Sequence, residues 1–140
     1  MRALGIDLGS KRIGIAISDR TGTIASPLTM IQRSGSVRRD HEVIRQLVVE
    51  EEAEMLVVGL PLNMNGSSGP AAKAAVAEAR ALATVVGVPV ITFDERRTTV
   101  TADRALIEAG IGAQARRKLV DKVAAAVLLQ TWLDSRAAQQ

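Results

Sequence analysis

The sequence predicts an α/β fold in which a five-stranded mixed sheet is flanked by helices. Three observations lead to this class. The chain opens with two short strand patterns around the turn "GSKR", which predicts a hairpin. Two later segments, "EMLVVGLP" and "VPVITFDE", are uninterrupted apolar runs typical of buried parallel strands. Segments with helical spacing of apolar residues lie between and after these runs, so the hairpin leads into β-α-β units.

The hairpin strands are predicted over 2–8 and 12–18, where apolar and β-branched residues alternate or run together. A third strand is predicted around 22–31. Pro27 within this strand indicates an edge position or a bulge, because proline cannot donate to a ladder of hydrogen bonds.

The rest of the chain alternates helices and strands. Pro70 suits a helix start, and Gly87 and Gly110 suit helix ends. The predicted elements are, in order, an amphipathic helix over 37–52 with Val37, Ile44, Leu47 and Val48 on one face, a strand over 54–61, the loop "LNMNGSSGP", a helix over 71–86, a strand over 88–95, a helix from Thr98 or Thr99 to Ala109, the flexible basic loop "GIGAQARRK", and a helix over 118–136.

Length and composition narrow the function classes. A chain of 140 residues, 47% hydrophobic and 24% charged, predicts one globular domain spanning 1–140. The aromatic residues are only Phe93 and Trp132, which argues against a stacking platform for single strands. The absence of cysteine excludes disulfides, thiolate nucleophiles and cysteine-based zinc sites. His41 is the single histidine, so a Ser-His-Asp site would depend on it, and its place early in a helix predicts a surface residue.

Charge and hydropathy indicate the partner and the compartment. The net charge is only +3, but four basic clusters indicate a polyanionic partner and favour nucleic acid; these are Lys11-Arg12, Arg38-Arg39, Arg96-Arg97 and Arg116-Arg117-Lys118. The alternative is that each cluster is a solvated surface. The longest apolar stretch, "ALATVVGVPVITF", is too short and too interrupted to cross a bilayer, and no basic-then-apolar leader opens the chain. We therefore expect a cytoplasmic protein.

Acidic residues end two of the strands that should run parallel. Ligands of open α/β sheets gather beyond the carboxyl ends of the strands. Asp7 ends the first strand, and Asp94 and Glu95 end the last. Neighbouring side chains on a strand point to opposite faces, so only one of Asp94 and Glu95 can lean towards Asp7. The strand pattern leaves that choice open.

A third acid, Asp121, lies on the final helix. Helical spacing predicts a buried stripe with Asp121 on its margin; the stripe is Val120, Val123, Ala124, Val127, Leu128 and Thr131. Three converging carboxylates would repel one another, and a divalent cation would relieve the repulsion. Oxygen ligands without histidine or cysteine favour Mg²⁺ or Mn²⁺. A pair of such ions can activate water and stabilise the leaving oxygen of a phosphodiester. The turn of Gly9, Ser10, Lys11 and Arg12 would then meet the phosphate backbone.

Each acid also has a purely structural interpretation. An aspartate at a strand end can form a turn or cap a helix. Asp121 could pair with a neighbouring Arg117, Lys118 or Lys122, and Arg96 and Arg97 could neutralise Asp94 and Glu95. The other aspartates are assigned to solvent, turns or helix surfaces: Asp19, Asp40, Asp103 and Asp134.

Four segments occur in an order that resembles the YqgF/RuvX family over essentially the whole chain. They are "GIDLGSKRIGIAISD" at 5–19, "VVGLPLNMNGSSG" at 57–69, "FDERRTT" at 93–99 and "KLVDKVAAAVLLQTWL" at 118–133. The resemblance implies an RNase H-like fold. It also implies catalytic and metal-binding roles for Asp7, Glu95 and Asp121, and so favours Glu95 over Asp94. Substrate contacts or support of the acids are implied for Arg12, Arg96 and Thr98, and for Asn63, Gly66 and Gly69 in the glycine-rich loop. Members often carry "MDG" where this chain has "MNG", so Asn65 receives no ligand role.

The resemblance implies a metal-dependent endonuclease of structured nucleic acid. The favoured substrate is the 5′ end of pre-16S rRNA, in ribosome maturation. The alternative is the four-way DNA junction of Holliday junction resolvases, where symmetric cleavage would require a homodimer.

Two competing interpretations come from other classes. "GIDLGS" followed by a strand also resembles the phosphate hairpin of sugar kinases and actin-like ATPases, but those proteins close two such domains around a nucleotide and this chain is long enough for one. The non-enzyme interpretation is an RNA-binding, ribosome-associated factor whose acids are structural.

Overall fold

The computed structural model describes residues 1–63, 65–94, 110 and 112–138, without the side chains of 113–122. The predicted helix from Thr98 or Thr99 to Ala109 lies outside the described residues. The described elements are β1 (Ala3–Leu8), β2 (Arg12–Ser18), β3 (Ala25–Gln32), α1 (Val37–Glu50), β4 (Met55–Leu60), α2 (Pro70–Val86), β5 (Val90–Asp94) and α3 (Ala113–Ala138).

The five strands form one mixed sheet in the order β3-β2-β1-β4-β5. β1 pairs antiparallel with β2, and β2 with β3, while β1, β4 and β5 run parallel. The predicted hairpin and mixed sheet are therefore confirmed. Pro27 lies on the edge strand β3, and the register shifts beside it, between Ile15 and Ala16. The parallel strands place the carboxyl ends of β1, β4 and β5 at one edge of the sheet.

Large aliphatic side chains cover one face of the sheet, which we call the large-residue face. In β1 and β2 these are Leu4, Ile6, Leu8, Ile13, Ile15 and Ile17. Helices α1 and α2 pack on this face through buried residues that include Ile44, Val48 and Leu82. The close fit of branched side chains around Leu56 and Val58 makes this side the larger part of the hydrophobic core.

The opposite, small-residue face carries Ala3, Gly5, Asp7, Gly14, Ala16 and Ser18 on the same two strands, as strand alternation requires. Helix α3 packs here through Ala125, Leu129 and Trp132, among others. A Cβ added to Gly5 would lie 2.8 Å from the Ala125 carbonyl oxygen and 2.8 Å from Leu129 Cβ. The glycine thus allows the helix backbone to touch the strand.

Helix α3 differs from its prediction in two ways. It begins at Ala113 rather than 118, because alanine, glutamine, arginine and lysine are strong helix formers and the last glycine of the predicted loop is Gly112. Its buried face is also rotated from the predicted stripe. The buried residues are Ala125, Ala126, Leu128, Leu129, Trp132 and Leu133. The helix is apolar on several sides, so the contact with Gly5 decides the face, and apolar spacing alone does not.

Two polar residues of α1 were predicted at the surface and are buried instead. His41 is 2% exposed and Asp40 is 3% exposed. Asp40 accepts a hydrogen bond from the Ser34 backbone N–H (3.1 Å), and His41 contacts a carboxylate of α2. The prediction was wrong because burial of these polar groups depends on partners that spacing within α1 cannot reveal.

Within the described residues, no helix is both long enough and apolar enough to cross a membrane.

Candidate active site

Asp7 occupies the carboxyl end of β1 on the small-residue face. It lies opposite Gly14 of β2 in the antiparallel register. A Cβ added to Gly14 would lie 3.7 Å from Asp7 Cβ and 3.6 Å from Ala125 Cβ. The missing side chain at position 14 therefore leaves room beside a half-buried carboxylate, under the helix α3.

The β1–β2 turn, residues 9–12, lies beside Asp7 and lines the same cavity of about 230 Å³, together with Gly14 and Met30. The Gly9 N–H donates to the Asp7 carbonyl (3.2 Å) and to the Arg12 carbonyl (2.9 Å). A Cβ on Gly9 would lie 2.5 Å from the Arg12 carbonyl oxygen, so this close turn requires glycine. The structure thus brings the predicted Gly9, Ser10, Lys11 and Arg12 around Asp7, with Ser10, Lys11 and Arg12 exposed.

The end of β5 separates the two candidate acids. Asp94 pairs with Leu60, and Val90 pairs with Leu56 on the large-residue face. Residues 90 and 94 share a face by alternation, so Asp94 is directed to the face opposite Asp7. Glu95, Arg96 and Thr98 lie outside the described residues, and their roles stay predictions.

Asp121 belongs to α3, one helical turn before Ala125, and its side chain lies outside the described residues. Helix α3 runs antiparallel to β1. Gly5 lies close to both Leu129 and Ala125, whereas Gly14, which is opposite Asp7, lies close to Ala125. The turn preceding Ala125 therefore extends towards the edge of the sheet where β1 ends.

The loop between β4 and α2 follows the same sheet edge. The Asn63 N–H donates to the Ser67 carbonyl (2.9 Å), and the Gly66 N–H donates to the Asn63 carbonyl (2.8 Å). A Cβ on Gly69 would lie 3.1 Å from Asn63 Oδ1. Asn65 accepts from the Ser67 hydroxyl and stays engaged within the loop. Asn63, Gly66 and Gly69 thus lie at the sheet edge where β1 ends. They are not among the described residues that line the Asp7 cavity.

Among the described side chains, no three acids or histidines form a group suited to a metal ion. Of the three predicted ligands, only Asp7 has a described side chain. The predicted metal set therefore stays a prediction.

Sequence reasoning missed a partly buried ionic network beside the turn. The Arg33 guanidinium donates to both carboxylate oxygens of Glu78 (3.0 and 2.9 Å), and His41 Nε2 lies 2.8 Å from Glu78 Oε2. Burial raises the pKa of Glu78, but the hydrogen bonds from Arg33 and His41, with their charges, outweigh it and leave that pKa below the ordinary value. The available signal was the spacing of His41 with the buried Ile44 and Val48, which places all three on one helix face.

Comparisons with known proteins agree with this geometry. A family model described as "RuvX: Holliday junction resolvase" matches residues 1–135. A relative from Moorella thermoacetica is 49% identical over 134 residues, which is 96% of this chain and 95% of its own. Another from Thermoanaerobacter pseudethanolicus is 47% identical over 137 residues, 97% of this chain and 98% of its own. Both are named as candidate pre-16S rRNA nucleases.

Two solved structures share the fold. The structure of RuvC from Thermus thermophilus is 18% identical with a TM-score of 0.58, and the match covers 99% of this chain and 97% of that one. RuvC from the same organism in complex with a Holliday junction substrate is 19% identical with a TM-score of 0.54, and covers 91% of each chain. The predicted RNase H-like fold is thereby confirmed.

Proposed function

This chain belongs to the RuvX family, and from that premise we propose that it is a metal-dependent endonuclease that cuts pre-16S rRNA during ribosome maturation. We treat residues 1–140 as a single nuclease domain that works in the bacterial cytoplasm. The names of the relatives from Moorella and Thermoanaerobacter support the substrate.

One observation carries the chemical part of the proposal. Asp7 and the turn of residues 9–12 line a single cavity, so a carboxylate lies beside two exposed cations. Lys11 and Arg12 suit the phosphates of a nucleic acid backbone, because their charges neutralise phosphate oxygens. This juxtaposition is what a phosphodiester-cleaving site needs.

The donor chemistry of the proposed site fits a divalent metal. Family membership implies dependence on such a metal in general, and we assign the ligands as Asp7, Glu95 and Asp121. These residues offer only carboxylate oxygens, which suit Mg²⁺ or Mn²⁺ better than zinc. A bound pair of ions would supply an activated water and stabilisation of the leaving oxygen. The placement of Asp94 on the opposite face favours Glu95 as the acid from the end of β5.

The chain's own residues would hold and orient the substrate. Lys11 and Arg12 would bind the phosphate next to the scissile bond, and the Gly9–Ser10 part of the turn would approach the backbone closely. We assign further substrate contacts to Arg96, Thr98 and the loop residues Asn63, Gly66 and Gly69. Asn63, Gly66 and Gly69 follow β4 at the sheet edge where β1 ends, and Arg96 and Thr98 follow β5 in the sequence, which supports this assignment.

A second candidate function is resolution of four-way DNA junctions. The family description names Holliday junction resolvase, and the fold is that of RuvC, whose complex with a Holliday junction substrate has been solved. Symmetric cleavage of a junction would require a homodimer presenting two sites. The same acids would serve both substrates, so the substrate has to be decided by assay.

The decisive experiment compares wild-type protein with Asp7→Asn on precursor 16S rRNA and on a synthetic four-way junction, each with Mg²⁺ and with Mn²⁺. We expect wild-type cleavage of the rRNA and loss of cleavage to background in Asp7→Asn, because an amide is a poor substitute for a metal-binding carboxylate. Asp134→Asn, on the exposed side of α3, is the matched control and should cleave normally.

Stability measurements separate a catalytic acid from a structural one. Mg²⁺ should raise the melting temperature of the wild type and not that of Asp7→Asn, since a ligand that binds the native state stabilises it. A variant that loses stability in proportion to its activity would instead support a structural acid. A wild type that binds RNA but cleaves neither substrate would support the RNA-binding factor.

A further inference from the structure

We propose that Arg33 is a positioning residue, which holds the β1–β2 turn so that Lys11 and Arg12 face substrate phosphates beside Asp7. The role in phosphate binding rests on the proposed nuclease function, whereas the ordering of the turn does not. No contact between Arg33 and substrate is required.

Arg33 donates two hydrogen bonds to the turn. Its side-chain Nε donates to the Gly9 carbonyl (2.7 Å), and its backbone N–H donates to the Lys11 carbonyl (2.9 Å). One residue therefore fixes two carbonyls of a four-residue turn that also lines the Asp7 cavity. Since Arg33 directly follows β3, the turn is tied to the neighbouring edge strand.

The guanidinium is itself anchored from two helices. Glu78 of α2 accepts two parallel hydrogen bonds from it, a geometry that fixes the plane of the guanidinium. His41 of α1 contacts the same carboxylate. Arg33 and Glu78 are each 17% exposed, so the pair is shielded from water and its geometry is restrained. The Asp40 carboxylate, near the guanidinium, also favours its charge.

The exposed pair of Arg45 and Glu42 shows what a less specific ion pair looks like. The two residues lie three positions apart on the surface of α1, and among the described residues their ion pair joins no second element. The network of Arg33, by contrast, joins a turn, an edge strand and two helices. A fork of donors is required for this, because Nε serves Gly9 while the two terminal nitrogens serve Glu78. A lysine at position 33 would carry the charge but lacks the planar fork that offers Nε to Gly9 and two terminal nitrogens to Glu78.

The test compares Arg33→Lys with Arg20→Lys, a control at a loosely paired surface arginine. The first measurement is hydrogen exchange of the free protein at the Gly9 and residue-33 amides, which both donate within the turn region. We expect exchange at least about tenfold faster in Arg33→Lys, the lower end of the range that corresponds to losing one charge-assisted hydrogen bond, with core amides of β1 and β4 unchanged. Arg20→Lys should exchange like the wild type.

The second measurement is substrate binding and turnover. Binding of a precursor 16S rRNA fragment, without divalent cations, should weaken several-fold in Arg33→Lys. In cleavage assays KM should rise while kcat stays close to the wild-type value. Glu78→Gln, which keeps the shape and removes the charge, should give the same changes in smaller degree, and it replaces Arg33→Lys if that variant does not fold.

Unchanged exchange at Gly9, or faster exchange spread evenly over the core, would overturn the proposal, since the network would then be purely a stabilising one. Faster exchange at the turn with unaltered RNA affinity would also overturn it, because the turn would not position the phosphate contacts. Failure of the proposed function has a different signature: the wild type would not cleave, while the exchange of the turn would still respond to Arg33→Lys.

Discussion

On β1 and β2, the two faces of the five-stranded sheet differ in the size of their side chains. The large-residue face of β1 and β2 carries leucine and isoleucine at every position, and α1 and α2 cover it. On the same strands the small-residue face carries alanine, glycine and serine, with Asp7 and Arg12 near the β1–β2 turn, and α3 covers it. The large-residue face stabilises the fold by burying apolar side-chain surface. The small-residue face brings the backbone of a helix against a strand.

The larger hydrophobic cluster and the cavity beside Asp7 lie on opposite faces of the sheet. Glycine allows the close approach of α3 at Gly5, and at Gly14 it leaves only ordinary contact distances to Ala125 and Asp7. Asp7 follows Gly5 by two residues on β1 and lies opposite Gly14 of β2, on the same face. Large residues there would push α3 away and fill the cavity beside the acid. The cavity beside Asp7 therefore depends on small side chains, which bury little apolar surface of their own.

Truncation on the large-residue face should have the largest effect on stability. Ile6→Ala removes most of a fully buried side chain, and we expect a loss of about 2–5 kcal/mol in the free energy of unfolding. Chemical denaturation gives this value, with Val43→Ala at an exposed position of α1 as the control. A loss under about 1 kcal/mol would mean that this face is not the main source of stability.

Enlargement of the small-residue face should have the next largest effect. Gly5→Ala forces a Cβ against the Ala125 carbonyl, and overpacking of this kind costs about 1–3 kcal/mol. Gly14→Ala is the matched control, since its Cβ would be at ordinary contact distance, and it should cost less than about 1 kcal/mol while narrowing the space beside Asp7. Equal losses in denaturation would show that α3 is not held by the close approach at Gly5.

Lowering the pH should reduce the contribution of Glu78 to the free energy of unfolding. Its pKa is lowered in the folded state from an ordinary 4.5, so folding disfavours its protonation. The stabilisation is fully present above pH 4.5 and is lost as the pH falls through the folded pKa. Stability curves of the wild type and Glu78→Gln should therefore converge on acidification. Glu54→Gln, at an exposed position, controls for removal of a carboxylate. Curves of the wild type and Glu78→Gln that stay parallel on acidification would contradict the expectation.

The smallest expected effect is on the salt dependence of binding. Lys11→Ala removes one proposed phosphate contact, so the slope of log affinity against log salt should decrease by about 1. Fluorescence anisotropy with a precursor 16S rRNA fragment over a series of salt concentrations measures the slope. An unchanged slope would place the phosphate contacts on other residues.

The elements that sequence could predict are those decided by local pattern. The alternation of β1 and β2, Gly87 at the end of α2 and Pro27 on the edge strand each act within a few residues. The buried face of α3 and the burial of His41 could not be predicted in this way. The first depends on the contact with Gly5, 120 positions away from Ala125, and the second on Glu78, 37 positions away.

The candidate site divides similarly. Asp7 and the turn of residues 9–12 could be proposed because a strand end and a glycine turn have clear patterns. Arg33 could not, because nothing around "QRSGS" distinguishes a buried anchor from a surface arginine. Its role depends on the carboxylate of α2 and the carbonyl of Gly9, which only the fold brings together.

The outer strand β3 has a consequence for self-association. Strands at the rim of a sheet can recruit a strand from another molecule and so begin fibrous aggregation. Pro27 deprives β3 of one amide hydrogen, and the irregularity beside it disturbs the straight row of bonding groups. A neighbouring molecule would find a poor template there, so strand exchange along this rim is disfavoured even when the protein is concentrated.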